Sequence, residues 1–280
     1  MIKRRLMLSS RAKPQFKPEC DAVKTDLGNS VMKILAGALL ISAAAFAQTP
    51  QPDNLGPNPN IVRETAGTMT FRQIADGRVR GHEYFRVTQH RDGTRTMNIT
   101  KDLAAANAFQ TIVVRAAADF RPLEVYAAYW TGEGYKGSIT VTLDGERLRA
   151  VSASPLGTNT YDIRVPEKLS VVTHGEIMNG WYLWSEDPKA SGEQTAMSFN
   201  LNAGARGNAP VTGLVHPSTF KRIGSETVKT EAGTFDTVRY DLDGLQMWIG
   251  TIDRLLVRQV DPKAGREYVL TEIKVTESAR

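Results

Sequence analysis

The sequence predicts a mainly β protein: one curved antiparallel sheet, an open half-barrel with meander connections and one or two short helices. Two observations point there first. Asp76-Gly77, Asp92-Gly93 and Asp144-Gly145 each separate segments rich in β-branched or aromatic residues, the strongest local signal for a tight hairpin. Strict apolar/polar alternation recurs along the chain, giving a sheet one buried and one wet face. A third observation is negative: no repeat of about 30–45 residues marks a solenoid or propeller.

The first segments belong to export rather than to the fold. Residues 1–31 are polar, basic and interrupted by proline. They read either as an extended n-region or as sequence upstream of a true start at Met32. Residues 32–47 read as a signal peptide: Lys33 supplies the charge, 34–44 the apolar core, and Ala45 and Ala47 the small residues before cleavage after Ala47. As a helix, 34–47 would rise only about 21 Å against a hydrocarbon core of about 30 Å, so the segment is not membrane-spanning. The expected location is the periplasm. Residues 48–65 begin with four prolines in thirteen residues, predicting a flexible Pro-rich linker. A single β-rich domain is then expected over 66–277.

Within that domain the elements follow in order. Residues 103–109 suggest a helical turn. Residues 138–143 place Ile139, Val141 and Leu143 on one face and Ser138, Thr140 and Thr142 on the other. Tyr161, Ile163 and Val165 alternate in the same way, as do Met197, Phe199 and Leu201. Residues 169–184 lack alternation and carry Val172, Glu176, Ile177 and Gly180 at helical spacing, predicting a short helix broken near Gly180. Strands at 226–230, 235–242, 246–249, 255–260 and 268–275, with short connections, predict a closing meander.

Composition excludes several function classes. Of 35 basic and 30 acidic residues, residues 1–47 hold eight and three, leaving 27 of each in the mature chain. The basic balance of the whole chain therefore belongs to the leader and speaks for no nucleic acid partner. The single cysteine, Cys20, lies in the leader too, so the mature chain has no disulfide and no thiol chemistry.

No catalytic motif appears. There is no G-x-S-x-G, P-loop, G-x-G-x-x-G or H-E-x-x-H. His82 and His90 share parity on one strand and read as a conceivable metal pair or as two solvated strand-end residues. His174 precedes Glu176 and is either a base beside an acid or a buried or capping histidine. Glu186-Asp187 and Asp241/Asp243 read as solvated turn residues. No metal and no cofactor are expected. Trp130, Trp181, Trp184 and Trp248, with Tyr126, Tyr129, Tyr182 and Phe199, either line a hydrophobic ligand cavity or fill the core.

The run 224–240, GSETVKTEAGTFDTVRY, is followed by Gln246-Met247-Trp248-Ile249, Arg254-Leu255-Leu256-Val257-Arg258 and Glu267-Tyr268-Val269-Leu270-Thr271. It resembles a family of exported bacterial proteins catalogued as a domain of unknown function, in which an AGTFDT turn joins two strands. Members often carry proline where this chain has Glu231. The resemblance spans most of 66–275 and is specific over about the last fifty residues. It implies a fold similar to the periplasmic lipoprotein carriers and says little about chemistry. From the residues themselves, Phe235, Val238 and Tyr240 break strict parity, predicting a bulge or a strand buried on both faces, and Arg239, Arg254 and Arg258 are expected to pair with Asp236, Asp241 or Asp253.

The functional expectation is a non-enzymatic periplasmic domain that binds or carries a lipid or other hydrophobic small molecule in its concave face. The alternative is an envelope structural or assembly factor acting through a protein partner. A hydrolase using His174 is a third reading.

Overall fold

The computed structural model of the chain describes residues 58–202 and 211–278. The signal peptide, its upstream segment and most of the expected linker lie outside the described residues. Eight strands come first, joined as successive hairpins: β1 (Ile61–Gln73), β2 (Val79–His90), β3 (Arg95–Leu103), β4 (Ala108–Ala116), β5 (Pro122–Thr131), β6 (Gly134–Asp144), β7 (Arg147–Ser154) and β8 (Gly157–Arg164). A short strand β9 (Leu169–Val172), a 3-10 turn (Glu176–Met178) and helix α1 (Asn179–Tyr182) follow. A second meander completes the domain: β10 (Glu193–Asn202), β11 (Thr212–Thr230), β12 (Gly233–Leu242), β13 (Leu245–Gly250), β14 (Leu256–Asp261) and β15 (Arg266–Glu277).

All fifteen strands belong to one sheet, ordered from β8 back to β1, then β15 back to β10, with β9 at the far edge. The two meanders are thus joined at their outer chain ends, where β1 pairs with β15 from Arg63↔Glu277 to Gln73↔Arg266. Every ladder is antiparallel except β9 against β10, which is parallel. The Asp-Gly hairpins form as expected, and Gly77, Gly93 and Gly145 adopt φ of 68°, 85° and 57°, which costs glycine little.

One face of the sheet surrounds the core. Met97 and Ile99 on β3, Ile112 and Val114 on β4, and Ile139 and Val141 on β6 share a single apolar cluster with Met247, Leu256 and Leu270 from the second meander. Between the two halves lie Ile177, Met178, Trp181 and Leu183 of the β9–α1 segment. A flat sheet cannot bring both halves onto one cluster, so the sheet curves around this insert. Among the described residues, edge strands β8 and β9 do not pair, and no barrel closes. The β8 and β10 regions still meet through side chains: Tyr161 packs edge-on against Phe199 with centroids 5.6 Å apart, and its hydroxyl accepts the Gly213 N–H at 3.2 Å.

Several boundaries are corrected. β1 begins at Ile61, so 61–65 are strand and not linker. The helix runs through Gly180 instead of breaking there. The expected turn at 103–109 is the 3-10 turn Ala104–Ala106. The run that carries the family resemblance forms the β11–β12 hairpin, and its irregularity lies in β11, where the register shifts between Arg222 and Gly224.

Candidate functional site

The interior has an unusual polar layer. Met69, Glu83, Lys101, Gln110 and Tyr129 are successive cross-strand partners from β1 to β5, so all five stand at one level on the concave face. Glu83 and Lys101 are only 1% and 2% exposed. The Glu83 carboxylate accepts the N–H groups of Glu176 at 3.0 Å and Ile177 at 2.7 Å, tying the 3-10 turn to β2. The Lys101 ammonium donates to the His174 carbonyl at 2.7 Å and to Glu176 Oε1 at 3.1 Å, and lies 3.7 Å from Glu83. Glu176 Oε2 accepts from Asn179 Nδ2 and Gln259 Nε2, both at 3.1 Å.

Burial and charge act oppositely on these groups. Burial disfavours the ionised Glu83 carboxylate and outweighs Lys101, so its pKa is raised. For Glu176 burial also pushes upward, but the Lys101 charge and hydrogen bond prevail and its pKa is lowered. Burial would strip the proton from Lys101, yet Glu176, Tyr268 and Glu83 hold it on and raise its pKa. Glu176 and Lys101 therefore form a charged pair.

The other end of the insert is fastened to the β13–β14 loop. Asp253, buried with φ 49°, pairs with Arg63, accepts the Thr65 hydroxyl at 2.9 Å and lies 3.6 Å from Arg95. Its carbonyl accepts the Trp181 indole N–H at 2.7 Å. Arg254 donates to the Gly180 and Leu183 carbonyls at 3.0 and 3.2 Å. This corrects the expected arginine pairings: Asp253 serves Arg63 and Arg95, Arg254 meets Glu186 at 3.4 Å, Arg258 meets Glu267 at 3.0 Å, and Arg239 approaches Glu226 at 4.0 Å. Glu186, expected in a solvated turn, has a buried carboxylate that also accepts the Tyr240 hydroxyl at 2.6 Å.

A cavity of about 350 Å³ opens beside this network, between the β9–α1 insert and strands β10 to β15. Glu176, Asn179 and Gln259 form its floor. Leu183, Leu242 and Leu245 give it an apolar side, while Asn200, Asp261 and Arg266 stand around it.

None of the four tryptophans lines this cavity, and the structure does not bring them together. Trp181 is core, packed 5.6 Å from Phe120. Trp248 lies in a separate cluster with Val228 and Val257, between Arg239 and Arg258, with its N–H donating to Glu226 at 3.0 Å. Trp184 reaches the Leu169 carbonyl at 3.4 Å. Trp130 stands against Phe109 and Tyr135, both partly exposed. Among the histidines, His82 lies 3.4 Å from the Thr70 hydroxyl and His90 3.1 Å from that of Thr96. His174 does line the cavity, exposed and at φ 63°, and its Nε2 lies 2.7 Å from the Leu201 carbonyl.

Glu83 and Lys101 were not singled out from sequence, yet a signal exists. Gly81, Glu83, Phe85 and Val87, and Met97, Ile99 and Lys101, each keep one parity. A charge at the apolar parity of two adjacent strands marks an inward-facing pair.

No family model matches the chain, and no curated protein matches it. Among solved structures, a β-barrel-like protein of the domain of unknown function DUF1849 from Brucella abortus is 10% identical, with 78% of this chain and 98% of that one covered and a TM-score of 0.48. A DUF1089 family protein from Pseudomonas aeruginosa is 9% identical, with 62% and 87% covered and a TM-score of 0.38. Neither likeness bears on the chemistry of the cavity.

Proposed function

We propose that this chain is an exported, non-enzymatic binding domain that holds a small molecule in the cavity beside the β9–α1 insert. The observation that carries this reading is the cavity itself, whose volume of about 350 Å³ lies within the usual range for ligand sites. His174 and Glu176 share the cavity without forming a relay: among the described residues the ring of His174 bonds a backbone carbonyl, and Glu176 is occupied by Lys101, Asn179 and Gln259.

The lining also refines the expected ligand. A long acyl chain would cover Asn200, Ser218, Asp261 and Gln259 with hydrocarbon. Each polar group left without a partner in that way costs roughly 1–3 kcal/mol. A compact molecule with polar and apolar faces fits better than the lipid expected from sequence. Native mass spectrometry of the protein exported to, and purified from, a bacterial periplasm tests the reading. A bound small molecule at one per chain is the expected result, and an empty protein that takes up no small molecule in a ligand screen overturns it.

The second reading, an envelope assembly factor working through protein contacts, is favoured by the outer-face group Phe109, Trp130 and Tyr135, with Phe109 and Tyr135 38% and 42% exposed. Loss of cellular function on Phe109→Ser and Tyr135→Ser, with cavity variants unaffected, would support it over the first.

A further inference from the structure

Resting on the binding reading above, we propose that the ligand is a small neutral saccharide of one or two sugar rings. Some polar groups around the cavity are satisfied within the protein and others are not. Those of the floor satisfy one another: Glu176, Asn179 and Gln259 are joined by three hydrogen bonds, one of them from Asn179 to Gln259 Oε1. On the walls, Ser170, His174, Tyr182 and Ser198 also have protein partners, but other groups are left open. Among the described residues, the Asn200 side-chain N–H₂, the Ser218 hydroxyl, the Tyr268 hydroxyl and the Arg266 guanidinium make no hydrogen bond, and Asp261 uses one carboxylate oxygen, accepting the Ala264 N–H at 2.9 Å. These open groups include both donors and acceptors.

Charge narrows the class further. Asp261 and Arg266 are register partners on β14 and β15, so the wall they share carries one charge of each sign. An anionic headgroup would meet Arg266 as a lone cation, with ionised Glu176 on the floor. A simple cation would meet Arg266 at the wall and Lys101 behind the floor. A neutral ligand avoids both conflicts, and sugar hydroxyls donate and accept at once. The Arg266 guanidinium presents a planar fork of N–H donors, the geometry that spans two neighbouring hydroxyls, and the Asn200 N–H₂ and the second Asp261 oxygen add a donor and an acceptor beside it.

The apolar lining suits the C–H face of a ring. Leu242 and Leu245, register partners on β12 and β13, stand together there, and Tyr182 lines the same cavity. Tyr268 contributes its hydroxyl end, since its ring is stacked on Phe71 at 4.4 Å and approached by Lys101 at 5.1 Å. The volume corresponds to about a dozen waters at roughly 30 Å³ each, which is room for one or two sugar rings.

The test is titration calorimetry and ligand-observed NMR on the exported protein. Glucose, N-acetylglucosamine, maltose and cellobiose serve as probes, with laurate and lysine as comparison ligands. At least one sugar is expected to bind one per chain with Kd below about 1 mM, weakened about tenfold or more by Asn200→Ala and by Arg266→Ala, a loss that matches one hydrogen bond to a good partner. Both positions are partly or fully exposed, and circular dichroism checks that each variant folds. Sugar binding indifferent to both substitutions overturns the inference. Binding of laurate or lysine with no sugar overturns the saccharide class and leaves the binding function standing. No binding by any probe, together with an empty purified protein, removes both.

Discussion

Lys101 stands where the interior is least tolerant of change. Among the described residues it is the one cation within reach of both the half-buried Glu176 carboxylate, at 3.1 Å, and the buried Glu83 carboxylate, at 3.7 Å. Removing one partner from a buried charged group leaves the rest uncompensated and costs about 3–5 kcal/mol, whereas replacing all partners by neutral groups of similar shape is far milder. Lys101→Met is therefore expected to lower the urea midpoint sharply, and the triple change Lys101→Met, Glu83→Gln, Glu176→Gln to recover a large part of the loss. If the triple variant is no more stable than the single one, the network is not an electrostatic unit. Acid should act on the two carboxylates in opposite senses. The lowered pKa of Glu176 contributes stability that is present above its unfolded value near 4.5 and lost as pH falls through the folded value. The raised pKa of Glu83 does the reverse: its ionised form weakens the fold, and that cost is relieved as pH falls through its folded value. The stability difference between wild type and Glu176→Gln should accordingly be largest at neutral pH and close below about pH 4.5, as read from urea unfolding across that range.

At the scale of elements, the β9–α1 insert decides whether the sheet has a core or a hollow. Its four-residue helix is too short to be stable alone, so tertiary anchors must hold it. Gly180 is one of them: a Cβ there would lie 2.0 Å from the Arg254 carbonyl and 2.6 Å from Ile249. Gly180→Ala should separate the helix from the β13–β14 loop, breaking the Trp181 to Asp253 hydrogen bond, and lower stability by about 1–3 kcal/mol or more. A thermal midpoint unchanged from wild type would show that the loop moves freely and does not anchor the insert. Most of the sheet was legible in the sequence because its signals are local. Asp-Gly turns and period-two patterns identify hairpins from a dozen residues at a time, and the strands expected at 235–242 and 246–249 fall almost on β12 and β13. The site was far less legible. Asp253 and Arg63 are 190 residues apart in the chain, and no local pattern pairs them. Tryptophan content suggested a cavity, but side chains of equal hydrophobicity on opposite faces of a strand cannot share one: Trp248 and its neighbour Met247 point to different clusters. The cavity's lining instead comes from small and polar residues such as Ser198 and Asn200, whose alternation with Phe199 and Leu201 reads as a wet surface.

For the molecule as a whole, the consequential fact is that the two ends of the described chain meet in the middle of the sheet. β1 and β15 are neighbours, Arg63 lies opposite Glu277, and the Ser278 N–H donates to the Val62 carbonyl at 3.1 Å. Among the described residues, the only ladder that joins the two meanders is thus also the last that the chain can complete. Such non-local pairing makes folding slow, because a loop of nearly the whole domain must close before β1 and β15 gain their hydrogen bonds. The outer edges are the reverse case: β8 and β9 are consecutive in the chain yet unpaired, and the link between them is exposed from Pro166 to Lys168. A circular permutant follows directly. Joining Ser278 to Asn60 by a short Gly-Asn-type hairpin turn would convert the β15–β1 ladder into a local hairpin, and opening the chain between Glu167 and Lys168 would place the new ends at the sheet's edges. Every ladder of the fold is retained, and all of them then connect neighbours in sequence. The permutant is expected to refold faster than the parent by tenfold or more, to unfold in one cooperative transition with a similar midpoint, and to keep the cavity, since β9 to α1 and β10 to β15 remain continuous. Stopped-flow refolding compared with the parent decides it. A permutant that folds no faster would mean that β1–β15 closure is not the slow step, and one that fails to fold would mean that the link from β8 to β9 is what seats the insert inside the sheet.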